Sequence, residues 1–277
     1  MAGLQITPLT PAIGAEVHGV DLATDVGDPT TVAALKQAFL DHQVLVFREQ
    51  VLTRDQHKEF GRLFGPLHIH PSQRHDGYEG DREIFPVVAD ETTVLNNGGL
   101  WHSDVSCDEK PPLGSMLLLT EAPASGGDTL FANMYLAYET LSEPIRALID
   151  DLSAVHDMRR DIQHYNVEPR PGHVYPAHTH PLVVAHPETG RKLLFCNSAF
   201  TTHIESLSKP ESKAILEMLY QHVANNPKLQ CRVRWEPGTL TFWDNRCVQH
   251  YAVWDYQPQR RVGERVTIAG TVAPARA

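Results

Sequence analysis

The feature that most limits the fold is the shortness and spacing of the apolar runs. Met116 to Leu119, Thr129 to Phe131, Leu193 to Cys196, the alternating Cys231-Val233-Trp235, Leu240 to Trp243 and Val266 to Ala269 each read as a short strand. Val44 to Phe47 is another. Glycine, proline and asparagine clusters separate them. Many short strands closed by few helices predict a mainly β chain of the α+β class, a β-sandwich or jelly roll with helices packed outside.

Four helices are expected around those strands. Asp28-Pro29 is a cap followed by proline at the first helical position, and Val32, Leu35 and Phe39 share one face. Thr53 with Gln56, and Ser208 with Glu211, have the spacing of capping boxes. Ser142 precedes Ile145, Leu148, Ile149 and Leu152, and Gly65 is a stop signal after Phe60, Leu63 and Phe64. Residues 72–100 and 160–180 show no clear period and are expected to be lid or insert loops of a single domain spanning 1–277.

Composition removes several classes of function. The chain has 277 residues and a formal net charge of -10, which argues against a nucleic-acid or anionic-membrane binder but leaves room for a local basic pocket. No apolar run approaches the ~20 residues of a membrane helix. Met1 to Pro8 lacks the charged and apolar regions of a secretory signal. Four cysteines without a CxxC pair fit reduced thiols and a cytoplasmic location. The 16 histidines are the first hint of chemistry.

Trp101-His102-Ser103-Asp104 is the sharpest local feature. In an extended segment His102 and Asp104 point to the same side and can offer a nitrogen and an oxygen to one metal ion. With 16 histidines and 17 aspartates, about one His-x-Asp is expected by chance, so a solvated loop pair is the alternative. Downstream, an apolar strand ends in the polar turn Trp243-Asp244-Asn245-Arg246 and leads to His250. Two histidines and one carboxylate make the facial triad of non-heme Fe(II) oxygenases, which leaves three coordination positions open. The alternative for His250 is a hydrogen-bonded core histidine. Arg260-Arg261-Val262-Gly263-Glu264-Arg265 follows, and Arg261 and Arg265 are spaced to project into one barrel mouth and grip small anions. The alternative there is a solvated charge run paired with Asp255 and Glu264.

Taken together, these segments resemble the taurine dioxygenase family of Fe(II)- and 2-oxoglutarate-dependent oxygenases. Trp101 to Asp104, Gly126-Gly127-Asp128-Thr129-Leu130, His186-Pro187-Glu188-Thr189-Gly190, Trp243 to Arg246 and His250 to Arg265 stand in that family's order and spacing. So do Ile13 to Leu22 and Phe64 to Pro71, and the resemblance covers nearly the whole chain. It implies a double-stranded β-helix, a jelly roll. It implies His102, Asp104 and His250 as catalytic iron ligands, and Thr129 and Arg261 on the distal carboxylate of 2-oxoglutarate. Arg265 and His70 would face the substrate's anionic group, with Gln73, Gly98, Met158 and Phe200 around its chain. The cofactors implied are Fe(II), 2-oxoglutarate as cosubstrate and O2. The products are succinate, CO2 and a hydroxylated substrate. A hydroxylated carbon bearing sulfonate or an ether oxygen would collapse to a carbonyl compound. A homodimer or homotetramer is the common assembly.

The departures bear on substrate. A taurine enzyme would carry tyrosine at Gln73, asparagine at Gly98 and phenylalanine at Met158. The expected substrate is therefore a small anion bulkier than taurine: an alkylsulfonate, sulfate ester or aryloxyalkanoate. A metal-dependent hydrolase would need a general base and would not use Arg261. A non-catalytic jelly-roll binding protein would not need the triad.

Overall fold

Val44, Leu45, Val46 and Phe47 are all buried, which a strand achieves only when both faces of its sheet are covered. The computed structural model describes residues 4–95 and 98–277; Asn96 and Asn97, inside the predicted 72–100 lid, and residues 1–3 lie outside the described residues. In chain order the elements are β1 (Gln5–Pro8), β2 (Ala15–His18), α1 (Pro29–His42), β3 (Val44–Phe47), α2 (Arg54–Arg62), β4 (Phe85–Ala89), β5 (Gly114–Glu121), β6 (Thr129–Asn133), α3 (Met134–Glu139) and α4 (Glu143–Ile149). They continue with β7 (Ser153–Asp157), α5 (Met158–His164), β8 (Ala177–Pro181), β9 (Val183–Ala185), β10 (Lys192–Leu194), β11 (Thr201–Ile204), α6 (Lys209–Ala224), β12 (Gln230–Val233), β13 (Leu240–Asp244), β14 (Val248–Ala252), β15 (Arg261–Ile268) and β16 (Ala275–Arg276).

The major sheet has seven strands in the order β1-β2-β3-β13-β5-β15-β4, antiparallel throughout except for β2 against β3. Strand alternation sorts its side chains into two layers. Leu45, Phe47, Met116, Leu118, Leu240 and Phe242 pack on Leu35 and Phe39 of α1 and Phe60 of α2. Val44, Val46, Leu117, Leu119 and Trp243 belong to the core shared with Phe131, Val233 and Val248 of the three-stranded sheet β12-β6-β14. Two further three-stranded sheets, β10-β9-β16 and β11-β7-β8, and the helices complete a mixed α/β structure dominated by strands.

The cap signals form as their chemistry requires. Asp28 accepts from the Thr30 and Thr31 amides at 3.3 and 3.0 Å, and Thr53 and Gln56 close a reciprocal capping box. Glu211 reaches back to the Ser208 amide at 2.9 Å. The helix after Ser142 stops at Ile149, so Leu152 lies beyond it.

Both aperiodic stretches, expected as lid or insert loops, contain regular structure among the described residues. Within 72–100 lies β4, an edge strand paired with β15; within 160–180 lie the end of α5 and the start of β8. Phe85 to Ala89 reads as a loop because Pro86 interrupts it. Proline is tolerated there because an edge strand leaves every second amide unpaired.

Candidate active site

His102 forms an isolated antiparallel bridge with His250, donating its amide to the His250 carbonyl at 3.1 Å and accepting in return at 2.8 Å. The bridge places the two imidazoles 4.0 Å apart, centroid to centroid. Asp104 follows in a turn rather than an extended run, and its Oδ1 lies 3.9 Å from the Nε2 of each histidine. The three side chains are 12%, 4% and 8% exposed for His102, Asp104 and His250. The next residue, Val105, is buried at φ +46°, a strained setting for a β-branched residue that turns the chain directly behind the carboxylate.

The donor set fits a divalent metal. His102 Nδ1 donates to the Leu100 carbonyl at 2.7 Å, which leaves Nε2 as the lone pair facing Asp104. Burial pushes the Asp104 carboxyl up, but Arg265, His250 and His102 outweigh it and hold the group well below the usual carboxylate range. Burial, with His102 beside it, keeps His250 well below its ordinary value and so neutral. Two neutral imidazoles and an ionised carboxylate are what such an ion binds.

One cavity joins this triad to both arginines. It is lined by His70, Gly98, Thr129, Phe200, Arg261 and Arg265 together with His102, Asp104 and His250.

 Of the eleven residues read from the sequence as ligands or contacts, nine line the cavity, and Gln73 and Met158 do not. The Gln73 amide is spent on the Tyr78 hydroxyl at 2.6 Å and the Ile84 carbonyl at 2.9 Å. Met158 is buried in a separate cluster with Val105, Cys107, Ala199 and Phe200. Both residues, expected to surround the substrate, thus lie outside the lining of this cavity, and Met158 shares a cluster with its wall residue Phe200.

The arginines do not form a solvated charge run. Both belong to β15, where a period of two puts Arg261 and Arg265 on one face. Arg261 is 6% exposed, has no carboxylate within ion-pair distance among the described residues, and lies 5.4 Å from the centre of the Trp235 ring. Trp235 Nε1 donates to Thr129 Oγ1 at 2.9 Å, so the Thr129 hydroxyl proton is free for a ligand. Arg265 stacks 4.7 Å from the centre of Phe85 and donates to Asp104 Oδ1 at 2.6 Å. Asp255 and Glu264 pair instead with Arg232 and Arg54. His70 Nδ1 accepts from the Ser72 amide at 3.3 Å, which leaves Nε2–H to donate; desolvation and nearby Arg265 lower its pKa to about 3.

Sequence reasoning missed Trp235, Phe85 and Asp161. Asp161, on α5, also lines the cavity, and burial raises its pKa. A tryptophan at the end of an alternating run and an acid four residues after a histidine-aspartate pair carry no signal before the fold brings them in. The histidine excess has a second explanation as well. His156 bonds Ser106 at 2.9 Å, His178 the Cys107 carbonyl at 2.8 Å, His180 the Asp108 carbonyl at 3.0 Å and His68 the Asp108 carboxylate at 2.8 Å. Four histidines thus brace the segment behind Asp104.

Comparison with known proteins agrees with this geometry. The profile of the family described as "Taurine catabolism dioxygenase TauD, TfdA family" matches residues 5–267. The chain is 36% identical over 280 residues to the Saccharomyces cerevisiae "Alpha-ketoglutarate-dependent sulfonate dioxygenase", covering 95% of this chain and 66% of that protein. It is 37% identical over 281 residues to the Pseudomonas putida "Alpha-ketoglutarate-dependent sulfate ester dioxygenase", covering 97% and 90%. A solved taurine dioxygenase from Burkholderia xenovorans superposes with a TM-score of 0.82 at 37% identity, covering 98% of this chain and 91% of that one. The chain belongs to the TauD, TfdA family and is a dioxygenase dependent on α-ketoglutarate, that is, 2-oxoglutarate.

Proposed function

We propose that this chain, a single domain of double-stranded β-helix type, hydroxylates a small anionic organic substrate at the triad His102, Asp104 and His250. The observation that carries the reading is the pairing of one triad with two separate anion-gripping arginines on one strand face. Four residues of strand set Arg261 and Arg265 roughly 13 Å apart along the chain, enough for two different anions. Fe(II), when bound, would supply coordination sites for 2-oxoglutarate and O2, with O2 as the oxidant and decarboxylation of 2-oxoglutarate to succinate and CO2 giving two of the four electrons it takes up.

The protein's own residues supply position and charge. Arg261, buried without a counter-ion among the described residues, takes the distal carboxylate of 2-oxoglutarate, and the free Thr129 hydroxyl proton adds a second donor. Arg265 and the Nε2–H of His70 hold the substrate's anion. Phe85, Val87 and Phe200 make an apolar wall that keeps water from the reacting carbon. Gly98 sits at φ +94°, and a Cβ there would touch Ala252 Cβ at 3.4 Å and His102 Cε1 at 3.5 Å, so glycine leaves the cavity beside His102 without a side chain. Alkylsulfonates, sulfate esters and aryloxyalkanoates are the proposed substrates, bulkier than taurine. A cytoplasmic homodimer or homotetramer without nucleic-acid or membrane partners completes the proposal. Four buried free thiols support the reducing compartment, and among the described residues no helix is long and apolar enough to cross a membrane.

The test is succinate formation from 2-oxoglutarate with and without Fe(II), across taurine, hexanesulfonate, an alkyl sulfate and an aryloxyacetate. Longer or aryl-bearing anions should exceed taurine in kcat/KM. A clear preference for taurine would reject the open-pocket reading, and turnover without Fe(II) would reject the triad.

A further inference from the structure

Beside the triad lies a second buried group of potential ligands, His186, Asp244 and Cys247. Its hydrogen bonds exclude a metal. His186 Nδ1 accepts from the Glu188 and Thr189 amides at 3.3 and 3.2 Å, so Nε2 carries the proton and donates to Asp244 Oδ2 at 3.2 Å. Arg246 takes both Asp244 oxygens, at 2.8 and 2.7 Å. Burial keeps the Cys247 thiol protonated. The cluster is a strut, and what it holds in place is the intervening residue, Asn245.

Asn245 is oriented without ambiguity. Its Oδ1 accepts from the Asp104 amide and from Trp243 Nε1, both at 3.1 Å. Its Nδ2 must therefore be the atom facing Ser115 Oγ, to which it donates at 3.0 Å. Ser115 then has one proton to give, and Asp104 Oδ2 receives it at 2.7 Å. All of Ser115, Asn245 and Asp104 are buried, so water does not compete for these bonds.

We propose that Ser115, oriented by Asn245, is a positioning residue that reserves Asp104 Oδ1 as the single carboxylate oxygen for the metal. Oδ2 is occupied by the Ser115 hydroxyl, while Oδ1, which accepts from Arg265 Nη1 at 2.6 Å with one lone pair, is the oxygen 3.9 Å from both histidine Nε2 atoms and keeps its other lone pair for the metal. The strut at His186, Asp244 and Arg246 thereby reaches the metal through two uncharged side chains. Such outer contacts fix the orientation of a ligand and its basicity. The inference rests on the reading of Asp104 as a ligand.

Titration of Co(II) alone onto the full chain, without 2-oxoglutarate or substrate, tests it. Ser115→Ala should weaken Co(II) binding roughly 10–100-fold. It should also change the shape of the Co(II) d–d absorption, because the second carboxylate oxygen becomes available. Asn245→Asp, which replaces the donor to Ser115 with an acceptor and draws the hydroxyl proton away from Asp104, should produce the same spectral change. Unchanged Co(II) affinity and spectrum in Ser115→Ala overturn the proposal whatever happens to the melting temperature. Weaker binding with an unaltered spectrum also overturns it, since that is what loosening of the surroundings alone would give. Asp104→Ala separates the two levels: Co(II) binding equal to wild type there would reject the ligand reading itself.

Discussion

Arg261 and Arg265 bring guanidinium groups into one cavity in different company. Arg265 already has a carboxylate, Asp104, and an aromatic face, Phe85. Arg261 has the Trp235 face but no counter-ion among the described residues, and its Nε is buried without a partner. A buried cation lacking an anion is costly, and a bound carboxylate relieves that cost. Arg261→Ala should therefore weaken 2-oxoglutarate binding by about 2–5 kcal/mol. Arg265→Ala should leave 2-oxoglutarate binding near wild type and weaken every sulfonate tested. Oxygen-free titration of 2-oxoglutarate onto the Fe(II) protein reads the difference; equal losses in the two variants would move the anchor away from Arg261.

At the scale of the element, β15 is the strand that organises the cavity, and Gly263 is the position that lets it do so. Arg261, Gly263 and Arg265 share one strand face. A Cβ at Gly263 would sit 2.3 Å from Leu119 Cδ2 and 2.5 Å from the Leu118 carbonyl oxygen on the neighbouring β5. The backbone oxygen cannot yield as a side chain can. Gly263→Ala should cost about 1–3 kcal/mol of stability, as overpacking does, and should lower affinity for both anions together. Urea denaturation and the same 2-oxoglutarate titration would show it; a variant of wild-type stability would mean that β15 and β5 can separate freely. The other neighbour of β15 is β4, whose register places Phe85 beside Arg265. Pairing to β15 makes β4 a wall of the cavity.

For the whole molecule, the buried histidines set the acid limit. His57 and His156 are 1% and 0% exposed, and burial lowers their pKa values to about 4 and about 3. The folded protein holds them neutral, while the unfolded chain takes up protons near pH 6.5. Their contribution is therefore complete above 6.5 and is lost as the pH falls towards 4 for His57 and 3 for His156. Each should remove about 2 kcal/mol between pH 6.5 and 5, at about 1.4 kcal/mol per pH unit. Asp244, held below the usual carboxylate range against the pull of burial by Arg246, acts only at lower pH and does not confuse this window. Urea midpoints at pH 7.5 and 5 should fall less in His156→Gln than in wild type; an identical fall would show that His156 is charged in the native state.

Much of this was legible before folding because its physics is local. Caps at Asp28, Thr53 and Ser208 act within one turn, and strand runs such as Leu240 to Trp243 declare themselves by consecutive apolar residues. The triad and the arginines were legible through motif order and spacing along the chain. Other parts depended on contacts between distant segments. Gln73 turns inward to Tyr78 and Ile84, and Met158 packs behind the wall, although their positions along the chain place both near the substrate. Phe85 and Trp235 enter the site only because β4 pairs with β15 and because Trp235 reaches Thr129 across the fold. The proton order from Asn245 through Ser115 to Asp104 spans residues 130 and 11 positions apart. Residue type and local spacing determined which groups could do chemistry; sheet register and burial decided which of them meet, because side-chain direction across paired strands is fixed only once the strands have paired.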